Sequence, residues 1–213
     1  CSGFTGSLII PDSVIGIQDG AFGRCSGFNS LVLSNSLVNI GEEVFSHCSG
    51  LTGDLIIPNA VKTIGYQAFW DCTGLNGNLV LSNSLISIGG GAFCGCSGLT
   101  GDLIIPNSVT SIEGIAFAHC TSLTSIVMPA SVTSIGYSAF SSCTGLTEIT
   151  MLGTVVPLLL GDSFYDTNNC PIYVPYESLN NYKTANYWNW YVSRIYPMVY
   201  TVVSGYGEGE GKW

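Results

Sequence analysis

The apolar positions along this chain fall into columns. Phe22, Phe45, Phe69, Phe93, Phe117 and Phe140 recur every 23 or 24 residues, and each lies three residues before a cysteine: Cys25, Cys48, Cys72, Cys96, Cys120 and Cys143. Cys1 opens the same ladder. An isoleucine stands five residues before each Phe, at Ile17, Ile40, Ile64, Ile88, Ile112 and Ile135. Leu or Phe follows each cysteine by three, from Phe4 and Phe28 to Leu146. One unit reads L-T-G-x-L-I-I-P-x-S-V-x-x-I-G-x-x-A-F-x-x-C-x-G. Six copies are complete, and a degenerate seventh runs from Leu146 to about Phe164. A fixed period of this length marks an array in which each unit buries its apolar face only by stacking on its neighbours.

Within a unit the pattern predicts a short strand, a turn and a second short extended stretch. Leu8 and Ile10 alternate with Ile9, the period of a strand with one face inward. Pro or Ser ends it, and Asn or Asp followed by Ser supplies turn chemistry. Val14 and Ile17 return to the core. The segment around Ala21, Phe22 and Cys25 is too short for a full helix and predicts a 3-10 or single α-turn. The expected architecture is a solenoid of about seven coils of 23–24 residues, spanning roughly 35 Å at about 4.8 Å per coil. A parallel sheet covers one face, with short strands, turns and 3-10 segments elsewhere. A longer period lies on top: Leu31–Leu37 recurs almost intact as Leu79–Leu85, while Leu8–Pro11, Leu55–Pro58 and Leu103–Pro106 carry the alternative form. This reads as duplication of a two-repeat block, a matter of history rather than chemistry.

The last 45 or so residues change character, with Tyr and Trp concentrated between Tyr173 and Tyr196. A helix is expected just after Pro175, with Leu179, Tyr182 and Ala185 turned toward the last coil, as a cap over the end of the stack. The implied organisation is an array over 1–165, a cap over 166–197, and a strand or linker over 198–213 leading to a further domain. The array starts in mid-repeat, so the protein is expected to be longer than this chain.

Composition narrows the possible functions. Five Lys+Arg against fourteen Asp+Glu give a net charge of −9. Five scattered cations cannot build the basic stripe that a nucleic-acid partner requires. Charged residues make up only 9% of the chain and apolar ones 46%, too apolar for disorder. Polar residues or glycine interrupt every apolar run well before the ~18–20 residues of a membrane-spanning helix. Nine cysteines suggest disulfides in an exported chain. Ladder cysteines, however, point the same way from coils spaced about 4.8 Å, farther than the ~3.8 Å between Cβ atoms in a disulfide. They are expected as free thiols packed like small apolar residues. Cys94 and Cys170 fall off the ladder, and no Cys/His set has zinc-ligand spacing.

Catalysis is not encoded in any recognisable form. His47 and His119 share a column, three coils and roughly 14 Å apart, too far to share a metal or a proton. Glu42–Glu43 reads as a solvated turn. Gly89–Gly91 lacks the Lys and the long helix of a phosphate loop. No catalytic residue, metal site or cofactor is assigned.

The repeated I-G-x-x-A-F-x-x-C core, as in Ile64–Cys72, resembles the BspA-type leucine-rich repeat of bacterial surface proteins. The likeness covers residues 1 to about 165. The tail, with Ile172-Tyr173-Val174-Pro175, Tyr182-Lys183, Trp188, Tyr191 and Ile195, looks like the end cap of that family. Glu113 in place of Gly and Val44 in place of Ala are local departures. The resemblance implies an exported, surface-displayed adhesion or binding module, extracellular or on the cell surface, with an extracellular or host protein as partner. It also implies a monomeric unit within a longer chain.

Aligning the strands gives one informative surface column. The outward position reads Ile9, Val32, Ile56, Val80, Ile104, Val127 and Thr150, flanked by Ser7, Ser30, Asp54, Asn78, Asp102, Ser125 and Glu148. A row of exposed β-branched side chains marks a candidate binding face, although such residues also simply favour strands. Tyr66 and Tyr137 share another column, with Trp70 nearby, and form a second candidate patch. The competing readings are a passive spacer that displays a neighbouring domain, and glycan recognition. The latter needs an aromatic and carboxylate cluster that the repeat columns do not assemble.

Overall fold

In a computed structural model of the chain, residues 3–199 are described. Cys1 and the segment from Tyr200 onward, including most of the strand expected after Met198, lie outside them. Each repeat is one coil. The first strand of each coil lies at β1 (Gly6–Ile9), β3 (Phe28–Val32), β5 (Leu55–Ile56), β7 (Leu79–Val80), β9 (Gly101–Ile104), β11 (Leu123–Met128) and β13 (Glu148–Met151). The second lies at β2 (Gly16–Ile17), β4 (Asn39–Ile40), β6 (Thr63–Ile64), β8 (Ser87–Ile88), β10 (Ser111–Ile112), β12 (Ser134–Ile135) and β14 (Leu158–Leu159). All pairings are parallel and one coil apart, as in Ile40 opposite Ile64 and Ile9 opposite Val32. The expected two extended stretches per unit are both present.

The second strands form one unbroken seven-stranded sheet. The first strands form a sheet broken into β1–β3, β5–β7 and a five-stranded segment that begins at β9. That segment runs beyond β13 through β15 (Ile172–Val174) to β16 (Ile195–Pro197).

Inside, the Phe column is a continuous stack. Rings from Phe22 to Phe164 lie nearly parallel, with centroids 5.1 to 5.6 Å apart. From Phe45 onward they are almost fully buried. The cysteine column packs beside it as free thiols. Each thiol from Cys48 to Cys143 donates to the carbonyl of the Phe one coil back, at 3.0 to 3.2 Å. The ladder thus buries a weak donor next to a carbonyl that has a lone pair to spare, which an aliphatic side chain could not use. Burial raises the Cys48 and Cys143 thiols to about 12.

The turn that carries Phe and Cys departs from a 3-10 segment. Ala68, Trp70 and Cys72 N–H donate to carbonyls three residues back, as a 3-10 turn would. The intervening Gln67, Phe69 and Asp71 N–H donate instead to Gly90, Ala92 and Cys94 of the next coil, at 2.8 to 2.9 Å. This alternation needs left-handed backbone at two positions per coil, such as Gln67 and Asp71 (φ +51 and +54). Every amide from 67 to 72 is paired, and the turn becomes a third ladder along the axis.

The last coil keeps the period while changing the residues. Trp188 follows Phe164 by 24 residues and continues the aromatic stack at 5.8 Å, tilted by 45°. Thr167 and Tyr191 take the cysteine column, and Cys170 and Arg194 the Leu146 column. Cys170, off the ladder by its sequence, is therefore a buried member of the neighbouring column. In place of a second strand the chain forms a 3-10 turn over Tyr176–Ser178 and α1 (Leu179–Thr184), whose Tyr182 is fully buried. The Tyr182 hydroxyl donates to Gly153 O and the Trp188 indole N–H to Pro157 O. A second 3-10 helix, Trp188–Arg194, closes the end.

Candidate functional site

The broken sheet presents its outward column to solvent. Ile9, Val32, Ile56, Val80 and Ile104 are each half or more exposed, and Val127 is half-buried. Apolar side chains of this size normally leave water on folding, yet no element of the described chain covers them. Pairing places Val127 opposite Thr150, Thr150 opposite Tyr173, and Tyr173 opposite Tyr196. The stripe therefore ends in two tyrosines whose ring centroids are 6.4 Å apart. The sequence carried this signal, since 127, 150, 173 and 196 are spaced by 23, but the tail aromatics read as cap residues only.

The flanking polar column is ordered across the coils. Ser30 Oγ donates to Ser7 Oγ, Asn78 N–H to Asp54 Oδ1, and Ser125 Oγ to Asp102 Oδ1, all at 2.7 Å. These bonds hold one edge of the stripe without covering it.

Where the sheet breaks, it opens into grooves. One of about 230 Å³ lies between the second and third coils, lined by Leu31, Val32, Leu33, Asn35, Asp54, Ile56 and Pro58. Another of about 390 Å³ lies between the fourth and fifth. It is lined by Leu79, Val80, Leu81, Asn83, Asp102, Ile104 and Pro106, with Asn78 at its edge. Adding 48 to each residue of the first groove gives a residue of the second. Reading the two-repeat period as history alone is thus corrected. The breaks fall where an LVLS coil is followed by an LIIP coil. At the intervening junctions, Ile10, Ile57 and Ile105 N–H each donate to Val32, Val80 and Val127 O, and the strands stay paired.

Of the second candidate patch, Tyr66 and Trp70 lie over the same turn of the next coil. Tyr66 and Tyr137 stay three coils apart on the turn ladder. A Cβ on Gly90 would meet the Tyr66 ring at 3.4 Å, and one on Gly91 the Trp70 ring at 2.9 Å. Gly91 also has φ +64, so the triple glycine serves a turn beneath two aromatics. His47 and His119 occupy left-handed turn positions, with His47 Nδ1 3.5 Å from Asp71 in a solvent-exposed contact. Among the described residues, no group of three or more His, Cys, Asp or Glu is placed to hold a metal ion. No helix among them is long and apolar enough to cross a membrane.

Short parallel strands, one coil per repeat, stacked apolar columns and turn ladders define a leucine-rich-repeat solenoid. The family model described as BspA type Leucine rich repeat region (6 copies) matches residues 2–77 and 76–189, and the chain belongs to that family. No curated protein matches the chain. Among solved structures, the leucine rich repeat protein of T. pallidum is 27% identical with a TM-score of 0.68, covering 78% of each chain. A leucine rich cell surface protein of Faecalibacterium prausnitzii is 21% identical (TM-score 0.31; 82% of this chain, 74% of that one). The pneumococcal vaccine antigen PcpA is 16% identical (TM-score 0.46; 92% of this chain, 68% of that one). Repeat proteins of this family are generally non-catalytic interaction modules.

Proposed function

We propose that this chain is the interaction module of an exported, surface-displayed bacterial protein, and that it binds an extracellular or host protein along the stripe from Ile9 to Tyr196. The observation that carries the reading is the pair of equivalent grooves, each apolar in its floor and rimmed by one carboxylate, Asp54 or Asp102. Grooves two coils apart lie about 10 Å apart along the axis. The occupant that fits is an extended polypeptide segment. In a polyproline-II conformation, three residues rise about 9 Å and return a side chain to the same face. Apolar side chains would fill the floors, and Lys or Arg would meet the two aspartates in an acidic module of net charge −9. The module acts as a rigid monomeric unit within a longer chain.

The test is capture of immobilised host matrix proteins by the chain and by the double variant Ile56→Lys/Ile104→Lys. Loss of at least tenfold in affinity with an unchanged melting temperature is the expected result. Equal capture by the two would remove the sheet face from the reading, and no capture by the wild type would favour a spacer.

A further inference from the structure

The cap brings together the cluster that the repeat columns could not. A cleft of about 330 Å³ separates the turn of the seventh coil from the 3-10 helix Trp188–Arg194, and its walls include Tyr165, Asp166, Asn169, Trp190, Ser193 and Arg194. We infer that this cleft is a binding site for a neutral saccharide, a pyranose ring stacked on Trp190 and Tyr165 with its hydroxyls held by Asp166, Asn169 and Arg194.

The geometry starts from the helix. With three residues per turn, every third side chain shares a face. Trp188, Tyr191 and Arg194 point inward and are buried. Trp190 and Ser193 share another face, toward the cleft. Trp190 is 61% exposed and Tyr165 is 62% exposed, unusual for rings of that size with no partner over them. Trp190 is nevertheless held, because Tyr187 meets it edge to face at 5.0 Å and 86°. A fixed aromatic face offers a large contact area at little entropy cost.

Asp166 stands in the turn column of Asp71, His119 and Ser142, and Asn168 and Asn169 follow it in the same turn region. Asp166, Asn168 and Asn169 all have left-handed φ near +50. Asp166 Oδ2 accepts from Ser142 Oγ at 3.3 Å, while Oδ1 has no donor among the described residues. The Asn169 amide makes no hydrogen bond among them either, so a donor and an acceptor stand ready together. Arg194 is 8% exposed. Its guanidinium donates to Thr167 Oγ1 at 2.8 Å, Cys170 O at 3.1 Å and Phe164 O at 2.9 Å. Three of its five N–H groups are thereby used, and the Nε–H and one Nη2–H lack acceptors among the described residues.

Charge selects the ligand class. Arg194 is anchored by a hydroxyl and carbonyls, with no carboxylate bonded to it, and lies 4.8 Å over the Tyr191 ring. A cationic ligand would face this positive charge, and an anionic one would face Asp166. A neutral ring with hydroxyls on its rim and an electropositive C–H face satisfies both. The ring face meets the negative face of the indole, and the hydroxyls meet donor, acceptor and ion. The volume is at the low end of small-molecule sites, enough for one or two rings. The cleft adjoins the end of the stripe, where the Tyr196 hydroxyl donates to Ser193 O at 3.2 Å, but it shares no lining residue with the two grooves.

The test uses the full 213-residue chain with cellobiose, lactose, maltose and N,N′-diacetylchitobiose as probes, and choline and glucuronate as charged controls. Binding is read by NMR through the Trp190 indole signal in chains that keep Trp190, and by titration calorimetry for the wild type and every variant. At least one neutral disaccharide should shift that signal and saturate below about 10 mM, a weak single-ring affinity. Trp190→Ala and Asn169→Ala should each weaken binding at least tenfold, while Ile56→Lys/Ile104→Lys should leave it unchanged. If Trp190→Ala does not fold, Trp190→Phe and Asn169→Ala decide the matter at an unchanged melting temperature. The inference is overturned if no neutral sugar moves the Trp190 signal, if choline or glucuronate binds more tightly, or if the folded Asn169 and Trp190 variants keep wild-type affinity.

Discussion

The two sheets of the solenoid are made by the same repeats and held differently. In the sheet from β2 to β14 each strand is two residues long, its Ile or Leu is buried, and the ladder is continuous. In the other sheet the strands vary from two to six residues, the outward column is exposed, and pairing fails at every second junction up to β9. The continuous sheet sits beside the turn ladder and the Phe stack, and these three sets of contacts fix the pitch of the coils. With pitch fixed elsewhere, the first strands can part and form grooves without unstacking the array. One side of the solenoid carries the stability and the other is left open to solvent.

Damage to the holding side should therefore be expensive. Phe93 is fully buried between Phe69 and Phe117, at 5.4 and 5.2 Å. Phe93→Ala should cost about 3–5 kcal/mol, visible as a large fall in the denaturant midpoint. A loss under about 1 kcal/mol would mean that the stack does not set the pitch. Gly65 should come next. A Cβ there would lie 2.6 Å from the carbonyl carbon of Gly41, so Gly65→Ala must push two coils apart. About 1–3 kcal/mol is expected, in the range of overpacked sites.

Alkali probes the same side more gently. Cys48 and Cys143 are raised by burial from 9.0 to about 12 in the folded chain. The unfolded thiols ionise first, so the folded state holds more protons between pH 9 and 12. The contribution is fully present below pH 9 and is lost as pH rises toward 12, by at most about 1.4 kcal/mol per pH unit per thiol. Thermal melts across that range, compared with Cys143→Ala, read the slope. A flat profile would contradict protonated, buried thiols.

The open side should respond least. Ile104→Ser changes a side chain that is 62% exposed, and its effect on stability should stay within about 0.5 kcal/mol. A larger loss would mean that the stripe is part of the core, and the contrast between the two sides would fail.

Much of this is legible in the repeat columns of the sequence. The Phe, Cys and Ile columns name the core residues because only a stacked array brings positions 24 apart into contact. The exposed column from Ile9 to Ile104 follows from strand alternation alone. The left-handed turn positions were hidden, because glycine occupies only Gly20, Gly91 and Gly95 among them while Arg24, Glu43, His47 and Ile115 adopt the same backbone. There the hydrogen bonds to the next coil override local preference. The grooves were hidden as well, since a 48-residue period does not say which junctions part.

The sequence by itself determined the repeat, the inward columns and the outward stripe, because these depend only on periodicity and on which side chains avoid water. Tertiary structure decided the rest: that alternate junctions open, that Tyr173 and Tyr196 extend the stripe, and that Asp166, Asn169 and Trp190 share a cleft. Those outcomes depend on hydrogen bonds between coils and on how the last coil closes the stack, and both bring together residues that no single repeat contains.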